Sequence, residues 1–205
     1  SATNTYNVAI GYDAGVSVTT GTNNTLIGGL AGDAITTGSQ NTAVGQGSLS
    51  ANTTASDNTA VGRNALGSNT TGTRNDAFGN NALYTNTTGG NNVATGRQAL
   101  YSNTTGGSNI AIGGNALYSN TTASNNTAVG YEAGYSNTTG GQNTLIGWKT
   151  GHSLTTGVSN TFVGCPGPGD NCGSLITSGS KNTILGAYTG NQGGLDIRTS
   201  SNNIV

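Results

Sequence analysis

An asparagine, usually followed by a β-branched residue, a small or apolar residue, an aliphatic residue and a glycine, returns along this chain every seventeen residues. The asparagines stand at Asn7, Asn24, Asn41, Asn58, Asn75, Asn92, Asn109, Asn126, Asn143 and Asn160, with further copies at Asn182 and Asn203 after intervals of twenty-two and twenty-one. A fixed period of this size is the signature of a solenoid, in which each repeat buries its apolar side only by stacking on its neighbours. The expected fold is therefore all-β, a parallel β-solenoid of about 17 residues per coil and about 12 coils. One domain should span residues 1–205, with loop insertions at about 165–174 and 191–194. At the strand spacing of a sheet such a rod is roughly 55 Å long.

Aligning the chain on this phrase turns it into columns whose variability reports environment. The residue after asparagine is Val8, Thr25, Thr42, Thr59, Val93, Ile110, Thr127, Thr144 or Thr161, interrupted by Asp76. Two positions further on stand Ile27, Val44, Val61, Phe78, Ile112, Val129, Ile146 and Val163, and between them runs a column of Ala, broken by Leu26, Leu145 and Phe162. β-branched residues flanking an apolar one read as a short strand, whose side chains alternate between two faces. Both faces are apolar, so both call for burial. The coil interior covers one, and a second copy of the chain is the economical cover for the other. The pattern alone leaves open which face is which, so the column from Ile27 to Val163 is a candidate for either the subunit interface or the core.

The glycine that closes the phrase is present in all eleven complete copies, which requires a positive φ or leaves no room for a Cβ. Next comes a mixed column (Tyr12, Gln46, Arg63, Arg97, Tyr131, Trp148), expected to face solvent. Small residues three positions after the glycine, such as Ala65 and Ala82, read as the inward residue of a second, shorter strand. The asparagines Asn24, Asn41, Asn58, Asn75, Asn92, Asn109, Asn126, Asn143 and Asn160 should form a stacked structural ladder, amide to amide. Tyr84, Tyr101, Tyr118 and Tyr135 share another column and should lie ring over ring, as packing or as a sugar-binding stripe. Paired threonines end each coil, preceded by asparagine at Asn52, Asn69, Asn86, Asn103, Asn120 and Asn137; Asn, Thr and Gly together are turn chemistry. The match of these triplets to a glycosylation acceptor follows from that chemistry.

Composition narrows the function. Net charge is −1 and only 6% of residues are charged, so there is no basic patch for nucleic acid. No apolar run is long enough to span a bilayer. The two cysteines, Cys165 and Cys172, lie in the longest repeat and are expected to close its loop as a disulfide, which implies an oxidising compartment. With His152 as the only histidine, no metal site or other cofactor is expected. The seven carboxylates fall in scattered columns and make no catalytic pair, and no lysine follows the glycines as a phosphate loop requires. Asp76, with Arg74 two residues before it, is expected to meet an arginine of a neighbouring chain.

Asn-Val-Ala-Ile-Gly at 7–11 and Asn-Ile-Ala-Ile-Gly at 109–113, each followed by a small residue three positions on, resemble the head repeat of trimeric autotransporter adhesins. The fuller form Asn-Thr-Ala-Val-Gly-Tyr-Glu-Ala-Gly-Tyr-Ser-Asn-Thr-Thr-Gly-Gly, from 126 to 141, is similar to repeats of phage tail-fibre-like and other bacterial surface-fibre proteins. The resemblance covers nearly the whole chain. It implies a left-handed β-roll with two short strands per coil, three chains side by side, and a rigid rod that adheres to a surface. The coil here is longer than in the adhesin heads, at the Asn-Thr-Thr side.

The expected function is thus a non-catalytic structural and adhesive fibre module, extracellular, on a cell surface or in a virion tail fibre. Its partners are copies of itself, as a homotrimer or a head-to-tail filament, and a host-surface protein or carbohydrate; neither nucleic acid nor membrane insertion is expected. No capping repeat is visible at either end, which fits a segment of a longer fibre or a filament subunit. The alternative is an ice-binding solenoid built on the threonine columns.

Overall fold

Three-residue strands form wherever the phrase occurs, because a β-branched pair flanking a small residue suits a pleated surface while the glycine that follows ends the run. The computed structural model describes residues 5–164, 172–192, 195–196 and 198–204. Its strands are β1 (Val8–Ile10), β2 (Thr25–Ile27), β3 (Thr42–Val44), β4 (Thr59–Val61), β5 (Asp76–Phe78) and β6 (Val93–Thr95). They continue with β7 (Ile110–Ile112), β8 (Thr127–Val129), β9 (Thr144–Ile146), β10 (Thr161–Val163) and β11 (Thr183–Leu185). All eleven lie in one sheet in sequence order, and every pair is parallel and in register, Ala60 beside Ala77 and Val61 beside Phe78. From β1 to β10 each turn of the solenoid takes seventeen residues, and the turn to β11 takes twenty-two. The fold is an all-β parallel solenoid, and among the described residues it has no helix. At roughly 4.8 Å per step the eleven strands span about 48 Å.

The twelfth copy of the phrase makes only a single parallel bridge, Thr183 to Ile204, and no strand. The longer last interval holds a two-stranded antiparallel pair, β12 (Asn191–Gln192) with β13 (Leu195–Asp196). Most of the insertion expected at 165–174 lies outside the described residues.

Each coil contains one strand. The expected second strand is replaced by a chain of β-turns: the N–H of Ala65 donates to Gly62 O, that of Gly67 to Asn64 O, and that of Asn69 to Leu66 O. A positive φ at the third residue of the first two turns, 55° at Asn64 and 51° at Leu66, is the type II pattern. Inward-facing small residues do not need a strand to face inward. Ala65, Ala82, Ala99, Ala116 and Ala133 are fully buried from within the turns. A third left-handed residue, at 57, 74, 91 and equivalents, turns the chain back into the next asparagine. Backbone ladders run round the whole coil. Leu66 N–H, for example, donates to Ala82 O one coil on, so the left-handed positions are held by hydrogen bonds to their neighbours.

The interior is filled by two interchangeable sets of side chains. Where the strand offers Ala43, Ala60, Ala77, Ala94 or Ala111, the second turn supplies Leu49, Leu66, Leu83, Leu100 or Leu117; where the strand offers Leu26, Leu145 or Phe162, the turn has Gly32, Gly151 or Gly173. A Cβ on those glycines would meet the Leu26, Leu145 and Phe162 side chains at 2.8, 2.9 and 2.5 Å. Either set gives one large side chain to its coil, and the coil with Ala128 on the strand and Gly134 in the turn, which has neither, is reached by Leu117 and Leu145 from the coils on its two sides.

Candidate functional site

The strand alternation decides the faces. The central strand residue points inward and is fully buried from β2 to β11, whereas Ile27, Val44, Val61, Phe78, Ile112, Val129, Ile146 and Val163 point outward and are half-buried or exposed. They form no part of the core. With the residues two before them, threonine at six of the eight positions, they make an outer face of one apolar column beside one threonine-rich column, running the length of the sheet.

The asparagines of the phrase are buried from Asn24 to Asn182 and act within the coil as well as between coils. Asn92 Nδ2 donates to Gly106 O at 2.9 Å, tying the start of the coil to its end, and to Asn75 Oδ1 at 3.1 Å. Its Oδ1 accepts the backbone N–H of Asn109 at 2.9 Å and Asn109 Nδ2 at 3.2 Å. A second buried ladder runs through Asn52, Asn69, Asn86, Asn103, Asn120 and Asn137, where each Nδ2 after the first donates to the Oδ1 of the coil before. Turn chemistry alone does not account for these residues. The signal in the sequence was that Asn alternates in this column with Val18, Ile35, Leu154 and Ile176, an exchange that only a buried column makes. The ladder stops at Leu154, which leaves Asn137 Oδ1 buried without a donor. The acceptor asparagines of the Asn-Thr-Thr triplets are therefore sealed inside the coil.

In eight of the nine threonine pairs, all but Thr53-Thr54, the first hydroxyl donates to a carbonyl of the next coil: Thr87 Oγ1 to Thr104 O at 3.0 Å, and Thr104 Oγ1 to Thr121 O at 3.1 Å. The second, from Thr20 through Thr88 to Thr156, is exposed in every coil.

Tyr84, Tyr101, Tyr118 and Tyr135 stack with ring centroids 5.6, 5.2 and 5.1 Å apart, and His152 continues the stack 5.2 Å beyond Tyr135. The interior rings are covered on both faces by their neighbours, and Tyr84 lies over Gly67. All four tyrosines are half-buried, and the packing role expected of the column is filled by this stack.

At the His152 end the residues that occur once in the chain converge. The only Trp, the only His and the only Glu are Trp148, His152 and Glu132. Glu132 Oε2 lies 3.2 Å from Lys149 Nζ and 3.5 Å from His152 Nε2, and Lys149 Nζ sits 4.8 Å from the centre of the Trp148 ring. Burial pushes the Glu132 carboxyl up, but hydrogen bonds from Tyr131 and Lys149 and the charges of Lys149 and His152 outweigh it and hold the group below its ordinary 4.5. Tyr131, which donates to that carboxylate, is raised above its ordinary 10.0 by the same contact. A carboxylate shared in this way fastens two coils together, and Tyr131, 46% exposed, is the part of the cluster that faces solvent. The sequence held a signal for it: Glu132 and Lys149 are opposite charges one period apart.

The cluster sets a pH dependence. Glu132 titrates lower in the folded chain, so its stabilisation is complete above its ordinary value and is lost as pH falls through the depressed one. Wild type is expected to exceed Glu132→Gln by about 0.5–1 kcal/mol at pH 7, as measured by thermal unfolding, and this margin should close on acidification below that range.

Cys172 is fully buried in the core, and Cys165, its expected disulfide partner, lies outside the described residues. No group of three metal-ligating side chains comes together among the described residues. The chain matches no protein-family model, no curated protein and no solved structure.

Proposed function

We propose that this chain is a non-catalytic rod module of an extracellular fibre, packed side by side with copies of itself and offering its remaining surface for adhesion. The observation that carries this reading is the outer strand face. The coil interior is already filled by Ala, Leu and the asparagine ladders, yet a second apolar column runs outside it, with Phe78, Ile112 and Ile146 each about 40% exposed. Covering apolar surface contributes roughly 25 cal/mol per Å², and a stripe this long on an isolated chain is an association site. The head-repeat resemblance supports three copies about a common axis, and a cell surface or a virion tail fibre as the location. The adhesive partner on this reading is a host-surface protein or a carbohydrate, and no cofactor takes part.

Val61 and Val129 are surface residues of the single chain, so aspartate there should leave the coil folded and destroy the apolar face. Light scattering on the Val61→Asp/Val129→Asp chain should give the monomer mass of 20.1 kDa where wild type gives a multiple of it. An unchanged oligomer would defeat the reading.

The nine exposed second threonines favour ice binding as the other reading. They form a single file, because all but one of their partners, Thr53, donate to backbone carbonyls. A thermal-hysteresis measurement separates the two functions.

A further inference from the structure

In a coil that repeats its structural residues every turn, a single ligand site can stand only where the repeat is broken. The asparagine ladders, the threonine file and the outer strand column recur in coil after coil, but the surface around Tyr131 does not. It follows the column one residue past each closing glycine, where the chain has left the strand, through Arg97, Gly114, Tyr131 and Trp148. Stacking sets neighbours roughly 4.8 Å apart, so the four span about 14 Å along the rod. Gly114 leaves a gap in this column, and the Tyr131 ring leans over it: a Cβ at 114 would stand 3.5 and 3.7 Å from two ring carbons.

The ring is exposed yet held. Its hydroxyl donates to the Glu132 carboxylate, which is fixed in turn by Lys149 and His152. Little side-chain freedom is then left to lose when a ligand covers the ring. Arg97, across the gap, is the opposite case. Arg63 in the same column donates to Gln46 at 3.1 Å, whereas the exposed Arg97 side chain has neither a hydrogen bond nor an ion pair among the described residues. Its charge still reaches the tyrosine: the hydrogen bond to Glu132 raises the Tyr131 hydroxyl, and Arg97 works against that rise. One carboxylate, Glu132, stands against the two cations Arg97 and Lys149, so the patch is net positive. The negative face of an aromatic ring attracts the C–H groups of a sugar, and a free guanidinium takes a carboxylate through two parallel hydrogen bonds.

We infer that Arg97, Gly114, Tyr131 and Trp148 form a binding site for a carbohydrate bearing a carboxylate, with a sugar ring on Tyr131 and the carboxylate on Arg97. Trp148 closes the site at its other end, half-buried, with Lys149 Nζ 4.8 Å from its ring centre. The site supplies the contact through which the fibre adheres, and so rests on the adhesive part of the function proposed above.

Trp148 is the only tryptophan, so its fluorescence reports this site and no other. Titrating the full chain with trigalacturonate or sialyllactose should give a saturable change in emission with at least one of them. A neutral trisaccharide and a hexaglutamate peptide should each need about tenfold more or fail to bind. Arg97→Ala and, separately, Tyr131→Ala should raise the half-saturating concentration about tenfold or more, and Arg63→Ala should leave it unchanged, with circular dichroism confirming that each chain stays folded. No response to either acid, an equal response to the neutral sugar or the peptide, or unaltered binding in the two variants would overturn the site. Light scattering on the same samples separates this from the fibre reading. An oligomer that ignores both acids loses the site and keeps the fibre; a monomer that binds one loses the side-by-side packing and keeps the site.

Discussion

Asn92→Leu is expected to lower the unfolding free energy by roughly 4 kcal/mol, while the same exchange at Asn137 should change it by less than about 1 kcal/mol. Leucine matches asparagine in branching and approximate size, so the contrast isolates hydrogen bonding. Asn92 Oδ1 is the acceptor for the buried backbone N–H of Asn109, and its Nδ2 donates to Gly106 O and Asn75 Oδ1. Leucine at 92 leaves that N–H without a partner, at about 1–3 kcal/mol, and removes three further bonds whose other ends keep one partner each. Asn137 differs because the backbone N–H groups of its column are satisfied within the turn, as Asn137 N–H is by Gly134 O. Its Oδ1 is already orphaned, and Gly140 O keeps its bond from Asn126. Leucine at 137 moves the end of the ladder back one coil, transferring the orphaned oxygen to Asn120. The same difference explains why asparagine is present in all twelve copies of the phrase while the second column accepts Val18, Ile35, Leu154 and Ile176. Denaturant unfolding of both variants reads it directly, and equal losses would show that the backbone N–H is not what singles out the first ladder.

How much of this was legible beforehand depended on whether a column carried one kind of residue or two. The period, the single strand of each phrase and the division of its side chains between two faces were readable because stacking places residue i over residue i+17, so the chain aligns itself. The second asparagine ladder was misread as turn chemistry because its six asparagines precede threonines, and the aliphatic residues that replace them at the two ends were not set in the same column. The second strand was expected because Ala65 and its equivalents face inward. The features that forbid a strand, left-handed residues at 64 and 66, were hidden behind ordinary Asn and Leu side chains. Leucine is seldom found at a positive φ, and here five stacked leucines adopt it.

The charged cluster escaped notice for a different reason. Glu132 and Lys149 share a column and could have been paired by period alone. His152 belongs to the tyrosine column, and only the cross-section of the coil brings the two columns together. The outer face stands at the other extreme: its residues were named, but a pattern apolar on both sides cannot say which side is inside. Volume decides it. The narrow interior takes alanine on the strand wherever leucine enters from the turn.

Gly113→Ala should be among the most damaging single substitutions, destabilising by roughly 3 kcal/mol or more, against about 1 kcal/mol for Gly134→Ala. Both glycines have a positive φ, but of different kinds. Gly134, at 63°, sits in the left-handed well that Leu117 occupies at 50° in the equivalent position one coil earlier, so an L-residue is tolerated there. A Cβ at 134 would meet the ends of the Leu145 and Leu117 side chains at 2.7 and 2.9 Å, and both can rotate away. Gly113, at 134°, lies well outside that well, and its added Cβ would stand 2.4 Å from the carbonyl oxygen of Gly130 in the next coil. That oxygen belongs to the backbone stack itself, so the clash is relieved only by separating coils, which stretches the parallel ladder between β7 and β8. In a solenoid held by nearest-neighbour contacts, one weakened junction limits the cooperativity of the whole rod. Denaturant unfolding of Gly113→Ala should therefore show a lower midpoint and a broader transition than Gly134→Ala. Equal midpoints would mean that the approach of Gly113 to Gly130 does not set the coil spacing.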